Sequence, residues 1–468
     1  MNNKTKIIAT VGPGCDNKKT LQSMVDAGVS VFRLNMSHGD DGSKRKLYQL
    51  VKSLKYNNNS RPTILTDLAG PKIRITKVDK GFSLDEKENV IISNEKTLKE
   101  KHIKVSNEFE LSHISKGAKI LIDDGRVQLK VIDNTSPNIL RCTTLIGGKI
   151  QARKGVNFPG ITLDTPSLTD QDIVDLKMAL DHGADWIALS FVRSAKDVLS
   201  VHKIMDDVGK RIPVMAKIEK WEALDNLEEI ADSFDGLMVA RGDLGVEIDV
   251  ARVPLAQKKV IEIAGALGKP VVIATQLLES MINNKTPTRA EVSDIANAIF
   301  DSVDALLVTG ETAIGKYPIG VIKILAQVIS ETEDATTFQR ESIPEDVNKT
   351  PEAISHAVCE ISNDLDINIL MSMTHTGSTA RMIARYRPQA KIFALTPFEN
   401  IARQLELIWG ITPIKVDSYN NIEAIPDLCN NVLHKLKLIN KGDKFIITGG
   451  VPMGIEGTTN YLSVQTHR

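Results

Sequence analysis

Short runs of apolar residues recur along the chain, each followed by polar or glycine residues and then by a stretch with helical spacing. Eight such runs occupy residues 6–11, 29–34, 62–66, 186–191, 214–218, 236–240, 271–274 and 305–308. They are too short for helices and almost wholly apolar, as parallel strands buried on both faces are. Amphipathic stretches lie between most of them. In residues 170–180 the apolar positions fall at helical spacing behind Thr169, a residue type suited to an N-cap. Strands alternating with helices predict βαβ units, and eight of them fit a closed (β/α)8 barrel.

The alternation breaks once. From about Gly70 to Thr165 helical spacing gives way to period-two segments such as residues 119–122 and 126–132, joined by the turn residues Asp123, Asp124 and Gly125. This predicts a small β-barrel inserted after the third strand, over the carboxyl end of the larger barrel, where a mobile lid is useful. A third region begins near Pro351. Its apolar runs at 368–373, 391–395, 412–416 and 444–447 alternate with helical stretches such as 401–407. They predict a smaller, open, parallel sheet with helices on both faces. The polar segment 331–349 reads as a linker. The resulting division is a barrel at 1–69 and 166–335, an inserted β-barrel lid at 70–165 and a carboxyl-terminal α/β domain at 336–468.

Composition narrows the class. The chain has 468 residues, 42% hydrophobic and 25% charged, with a net charge of -1. Balanced charge argues against a nucleic-acid partner, and no apolar run is long enough to cross a bilayer. The first residues carry one charge and a short apolar run broken by Gly12 and Pro13, unlike a signal peptide. Four widely spaced cysteines, Cys15, Cys142, Cys359 and Cys429, argue against disulfides or a zinc cluster and for a reduced cytoplasm.

Polar residues at the carboxyl ends of buried barrel strands are candidates for catalysis. Strand one runs into Gly12-Pro13-Gly14. Strand two ends in Arg33 to Gly39, strand three in Asp67, strand five in Lys217-Ile218-Glu219 and strand six in Arg241-Gly242-Asp243. Strand seven ends in Thr275-Gln276 and strand eight in Thr309-Gly310-Glu311-Thr312. Seven converging polar ends would cost stability unless they bind something. Glu219 and Asp243 are hard oxygen ligands suited to Mg²⁺. Lys217 lies two residues before Glu219, so both point to one side of a strand, and an ammonium beside a metal suits a transferring phosphoryl group. Arg33 adds a planar fork for phosphate. Taken alone, Lys217 and Glu219 read equally as a solvated ion pair. The chain lacks a Gly-x-x-x-x-Gly-Lys-Ser/Thr loop, the protein-kinase signatures and His-Glu-x-x-His.

Several strings resemble one family. They are residues 5–13, Phe32-Arg33-Leu34-Asn35-Met36-Ser37-His38-Gly39, Asp67-Leu68-Ala69-Gly70-Pro71-Lys72-Ile73-Arg74, residues 154–160, Ala216-Lys217-Ile218-Glu219, residues 238–245, residues 274–281 and Gly310-Glu311-Thr312-Ala313. In order and over essentially the whole chain they resemble the motifs of pyruvate kinase, in the bacterial form without the amino-terminal helical extension and with no added domain after Arg468. The resemblance implies transfer of a phosphoryl group between phosphoenolpyruvate and ADP, giving pyruvate and ATP at the last step of glycolysis. It assigns Lys217 to the phosphoryl in flight and Arg33 to the phosphate. Glu219 and Asp243 would bind Mg²⁺, with Mn²⁺ as a substitute, and Gly242, Asp243 and Thr275 would hold the substrate. Thr309 and Glu311 would lie on the path that protonates the enolate. Asn35, His38, Arg74 and Lys154 would meet the nucleotide.

The family's potassium site matches Asn35, Ser37, Asp67 and the carbonyl of Leu68. Potassium-dependent members carry Glu in place of Lys72 and usually Thr in place of Leu68, so an ammonium near that pocket would supply the monovalent charge internally. Thr374, Thr376, Gly377, Ser378 and Thr379 open a helix after a strand and resemble the family's allosteric effector site, where a sugar phosphate or nucleotide binds. Residues 449–454 resemble its closing loop, although 374–379 hold no Lys or Arg. The family is typically a homotetramer. Two other readings compete: a barrel lyase or aldolase acting on a Mg²⁺ enolate, which needs neither Arg74 nor Lys154, and a metabolite sensor without catalysis, which would have lost Lys217, Glu219 or Asp243.

Overall fold

Eight parallel strands close on themselves in the order 1-8-7-6-5-4-3-2. They are β1 (Lys6–Thr10), β2 (Val29–Asn35), β3 (Thr63–Asp67), β4 (Trp186–Leu189), β5 (Val214–Ile218), β6 (Gly236–Ala240), β7 (Val271–Ala274) and β8 (Ala305–Val308). The computed structural model describes residues 3–56, 60–78, 81–94, 101–106, 111–136, 138–163, 165–335, 349–419, 421–452 and 457–468. The strands agree with the sequence expectation to within one or two residues at each end. The expected helix behind Thr169 spans Asp170–Asp181, and Thr169 accepts the Asp172 N–H while Asp172 returns a bond to the Thr169 N–H.

Period two sorts the barrel residues into two cores. Ile7, Phe32, Ile64, Ile187, Val214, Leu237, Ile273 and Leu306 pack outward against the helices. Ile8, Val31, Leu65, Trp186, Ala188, Met215, Met238 and Leu307 fall in the other phase and share a cluster with residues of the carboxyl-terminal domain. Each fully buried side chain of this size contributes about 1.5–3 kcal/mol. The inner phase also fixes the site. Continuing it by two residues along each strand brings Thr10, Arg33, Asp67, Ser190, Lys217 and Thr309 to the mouth of the barrel, and two more residues on β5 bring Glu219.

The insertion is β-rich, as expected. Seven strands run from Ile75–Lys77 at one edge of a sheet to Val156–Asn157 at the other. The edges meet: the Ile75 N–H donates to the Lys154 carbonyl at 2.9 Å and the Val156 N–H to the Ile73 carbonyl at 2.9 Å, so the sheet rolls round on itself. Gly70 stands at the entrance with φ 68°, and a Cβ there would lie 2.9 Å from the Ser190 Cβ.

The carboxyl-terminal domain corrects one expectation. Strands β9 (Ile369–Met373), β10 (Lys391–Thr396), β11 (Ile411–Lys415) and β12 (Lys444–Gly450) are parallel, but β13 (Thr459–Thr466) pairs antiparallel with β12 at the edge. Its alternation of exposed and half-buried residues lacks the continuous apolar run that marked the other four. Most of the expected linker, at residues 336–348, lies outside the described residues, and its start continues a helix to Asp334. The four cysteines are free and buried.

Candidate active site

At the mouth, Lys217 is the hub. Its Nζ donates to Ser190 Oγ at 2.8 Å and lies 2.9 Å from Glu219 Oε1 and 3.1 Å from Asp67 Oδ1. Burial alone would lower the pKa of this ammonium, but Asp67 and Glu219 outweigh it, and its pKa stands above the ordinary lysine range. Burial pushes the Asp67 carboxyl upward, yet Lys217 and Arg33 bring it below the usual carboxylate range. Glu219 goes the other way. Burial raises its pKa, Lys217 opposes that, and Asp243 adds to it. Glu219 is thus a carboxylate that gains from a further positive charge.

Arg33 donates through Nε to Asp67 at 2.7 Å and through Nη1 to Thr10 Oγ1 at 3.0 Å. The other Glu219 oxygen accepts the Phe191 N–H at 2.9 Å, where Phe191 turns with φ 56°. Asp243 lies in the first turn of the short helix Arg241–Glu247, and its Oδ1 is 2.6 Å from Lys72 Nζ. Thr275 has φ 71°, and its hydroxyl accepts the Gly242 N–H at 2.9 Å. Arg241 holds this turn from behind, bonding Asp294 at 2.6 Å and the Thr275 carbonyl at 2.7 Å. Glu311, fully buried, accepts the N–H groups of Leu278 at 3.1 Å and Thr309 at 2.7 Å, and the Thr309 hydroxyl lies 3.3 Å away. Three cations, Arg33, Lys72 and Lys217, therefore face three carboxylates. Among the described residues no group of three or more His, Cys, Asp or Glu forms a ready-made metal cage. The hard oxygens of Glu219 and Asp243 suit a cation that shares its shell with a substrate.

The sequence profile described as "Pyruvate kinase, barrel domain" matches residues 2–322, and "Pyruvate kinase, alpha/beta domain" matches residues 352–465. The chain belongs to the pyruvate kinase family. It is 42% identical over 462 residues to a pyruvate kinase of Thermotoga maritima, covering 98% of both chains. It is 40% identical to pyruvate kinase 2 of Synechocystis sp., over 99% of this chain and 79% of that one. Its fold is similar to the crystal structure of a pyruvate kinase from Cryptosporidium parvum, with a TM-score of 0.93, 32% identity and 100% and 96% of the two chains covered. Like the family, it is a phosphotransferase.

The remaining expected residues are dispersed. Asn35 bonds the Ser37 N–H at 3.1 Å and His38 Nδ1 at 3.3 Å. Arg74 and Lys154 are held within the insertion, Arg74 by the Arg153 carbonyl at 3.2 Å and Lys154 by Asp123 at 2.8 Å. For Lys72 the sequence reading named no partner. Its ammonium lies on Asp243, while the Leu68 carbonyl accepts Ser190 Oγ at 2.7 Å and Asp67 is bracketed by Arg33 and Lys217. Ser190 was passed over among the strand ends, although it is the polar end of strand four and in phase with Trp186 and Ala188. Thr10 was missed for the same reason.

In the carboxyl-terminal domain, Thr374, Thr376, Ser378 and Thr379 line an open cavity of about 530 Å³ with Tyr419, Gly450 and Thr459. Gly377 precedes helix Ser378–Arg385 with φ 85°, and its N–H donates to Thr374 Oγ1 at 2.8 Å. A Cβ there would lie 2.9 Å from Leu405 Cδ2. Met453 and Gly454 of the expected closing loop lie outside the described residues.

Proposed function

We propose that the barrel mouth transfers a phosphoryl group between phosphoenolpyruvate and ADP by charge placement more than by covalent chemistry. The observation that carries this is the Lys217 ammonium, fixed by Ser190, Asp67 and Glu219 at the inner face of the barrel mouth. A positive charge already oriented meets the equatorial oxygens of the phosphoryl without reorganising at the moment of transfer. Arg33 presents its free edge to the same phosphate, oriented by Asp67 and Thr10. The substrate carboxylate is held at the Gly242–Thr275 turn. Thr309, with Glu311 behind it, stands on the route that delivers a proton to the enolate carbon.

Glu219 and Asp243 fit Mg²⁺ or Mn²⁺, because both are hard donors and burial leaves Glu219 in need of positive charge. Such an ion would supply neutralisation of the substrate's carboxylate and enolate oxygens. Lys72 would then leave Asp243. Its charge at the mouth supports weak or absent potassium dependence, with Asn35, Ser37, Asp67 and Leu68 as the alternative potassium set. Asn35, His38, Arg74 and Lys154 serve ADP once the insertion, residues 70–165, closes as a lid over the barrel of 1–69 and 166–335. The pocket at 374–379 in the domain of 336–468 takes a sugar phosphate or nucleotide effector. Family likeness further supports a cytoplasmic homotetramer; among the described residues no helix is long and apolar enough to cross a membrane.

A coupled assay for pyruvate tests the reading, run with phosphoenolpyruvate, ADP and either Mg²⁺ or Mn²⁺. Turnover is expected with either ion, and absence of turnover with both removes the proposal. The same assay in buffer free of potassium and sodium should retain activity; a strict loss would refute the role given to Lys72.

A further inference from the structure

A second cationic pocket lies on the opposite side of the barrel, between its floor and the carboxyl-terminal domain. It is a narrow, half-open cleft lined by Lys269, Asp304, Arg381, Arg385 and Arg387. Lys269 precedes β7. Arg381 lies in the middle of helix Ser378–Arg385, Arg385 ends it and Arg387 follows just after. Two of the four cations are satisfied by backbone. Lys269 Nζ donates to the carbonyls of Asp232 at 3.1 Å and Phe234 at 2.7 Å, and Arg385 donates to the carbonyl of Ala266.

The other two are not. Arg387 is 3% exposed, and only its Nη2 is engaged, with Ser302 O at 2.7 Å and Asp304 Oδ2 at 3.1 Å. Its Nε and Nη1 are buried without an acceptor. The guanidinium stacks on Trp409, its carbon 4.7 Å from the ring centroid, which fixes its plane but leaves those N–H edges unmet. The Arg381 side chain makes no hydrogen bond or ion pair among the described residues. Burial holds its pKa below the ordinary arginine value, and Asp235 is the charge that opposes this. The carboxylates nearby are already committed. Asp304 Oδ2 accepts the Val271 N–H at 2.9 Å and its Oδ1 the Trp409 N–H at 3.2 Å, and Asp235 accepts the Val214 N–H at 2.9 Å.

Buried N–H groups of a charged guanidinium are almost always paired, because leaving them bare forfeits their hydration with nothing in return. Arg387 with two buried unspent donors, beside the half-buried and unpaired Arg381 in a pocket of net positive charge, matches a tetrahedral oxyanion. We propose that this pocket binds a phosphoryl dianion, free phosphate or the phosphate of a small monoester, and so ties the barrel floor to the carboxyl-terminal domain. The site is separate from the barrel mouth and from the cavity at 374–379. It does not depend on the reaction proposed above.

The test uses the full-length protein and the variant Arg381→Leu, chosen because Arg381 holds no structural bond that the substitution would break. Sodium phosphate is titrated calorimetrically in sodium chloride, and crystals are soaked in selenate to locate an oxyanion by its anomalous signal. Selenate is expected between Arg381 and Arg387. Affinity for phosphate at this site should fall at least tenfold in Arg381→Leu and recover partly in Arg381→Lys, which restores charge without the fork. β-Glycerophosphate separates the sources: tighter binding of the ester assigns the pocket to monoesters, and binding of phosphate alone assigns it to the free ion. Water as the sole density in the pocket, with Arg381→Leu titrating like the parent, would overturn the proposal.

Discussion

The two ends of the barrel carry similar numbers of charges and spend them differently. At the floor, Asp185, Asp235 and Asp304 each stand just ahead of an even-numbered strand and accept the N–H of a residue at the start of the strand before it. The pairs are Ile64 to Asp185, Val214 to Asp235 and Val271 to Asp304, all at 2.9 Å. Asp185 also binds Arg61 at 2.8 Å and Arg403 of the carboxyl-terminal domain at 2.8 Å. These carboxylates answer fixed partners and close the fold. At the mouth, Asp67, Glu219 and Asp243 are met chiefly by the side-chain tips of Arg33, Lys217 and Lys72. Side-chain cations can be displaced or shared when a ligand arrives, whereas a strand N–H cannot. The floor is therefore built for stability and the mouth for exchange.

The strongest challenge to that contrast is Lys217→Met. It should lower kcat on the order of a thousandfold while phosphoenolpyruvate binding changes only a few-fold, because the ammonium acts mainly in the transition state. An unaffected kcat would show that the hub is structural. The floor counterpart is Asp185→Ala, which strands two arginines in a buried interface. A loss of about 3 kcal/mol in unfolding free energy is expected, read from chemical denaturation, with kcat per folded molecule close to the parent. Should that variant instead lose turnover and keep its stability, the division between the two ends fails. The smallest effect sharpens the picture at the mouth. Lys72→Met removes the cation on Asp243, and activity without potassium should fall about tenfold, roughly 1.4 kcal/mol, with partial recovery on adding potassium chloride. A variant indifferent to potassium would place the Lys72 charge outside the chemistry.

Much of this was legible beforehand for a physical reason. Buried strands must be apolar throughout, and helices between them must be amphipathic, so the eight runs and the (β/α)8 class stand out from the hydropathy pattern alone. Lys217 and Glu219 were paired correctly because period two is a property of the extended backbone and needs no tertiary knowledge. The same rule would have found Ser190 and Thr10, had their strands been continued in phase. The edge strand β13 escaped because it faces solvent on one side and its pattern is diluted.

The sequence by itself determined the alternation of elements, the inner phase of each strand and the chemical types gathered at the barrel mouth. Only the tertiary structure decided which acceptor each cation holds. Lys72 is separated from Asp243 by 171 residues and could have met any carboxylate at the mouth. The orphaned donors of Arg387 likewise depend on Trp409 and Asp304, brought beside it by the docking of two domains. Local pattern fixes where a side chain points, because backbone geometry repeats over a few residues. Partnership is fixed by closure of the barrel and the packing of domains, which no short window of sequence encodes.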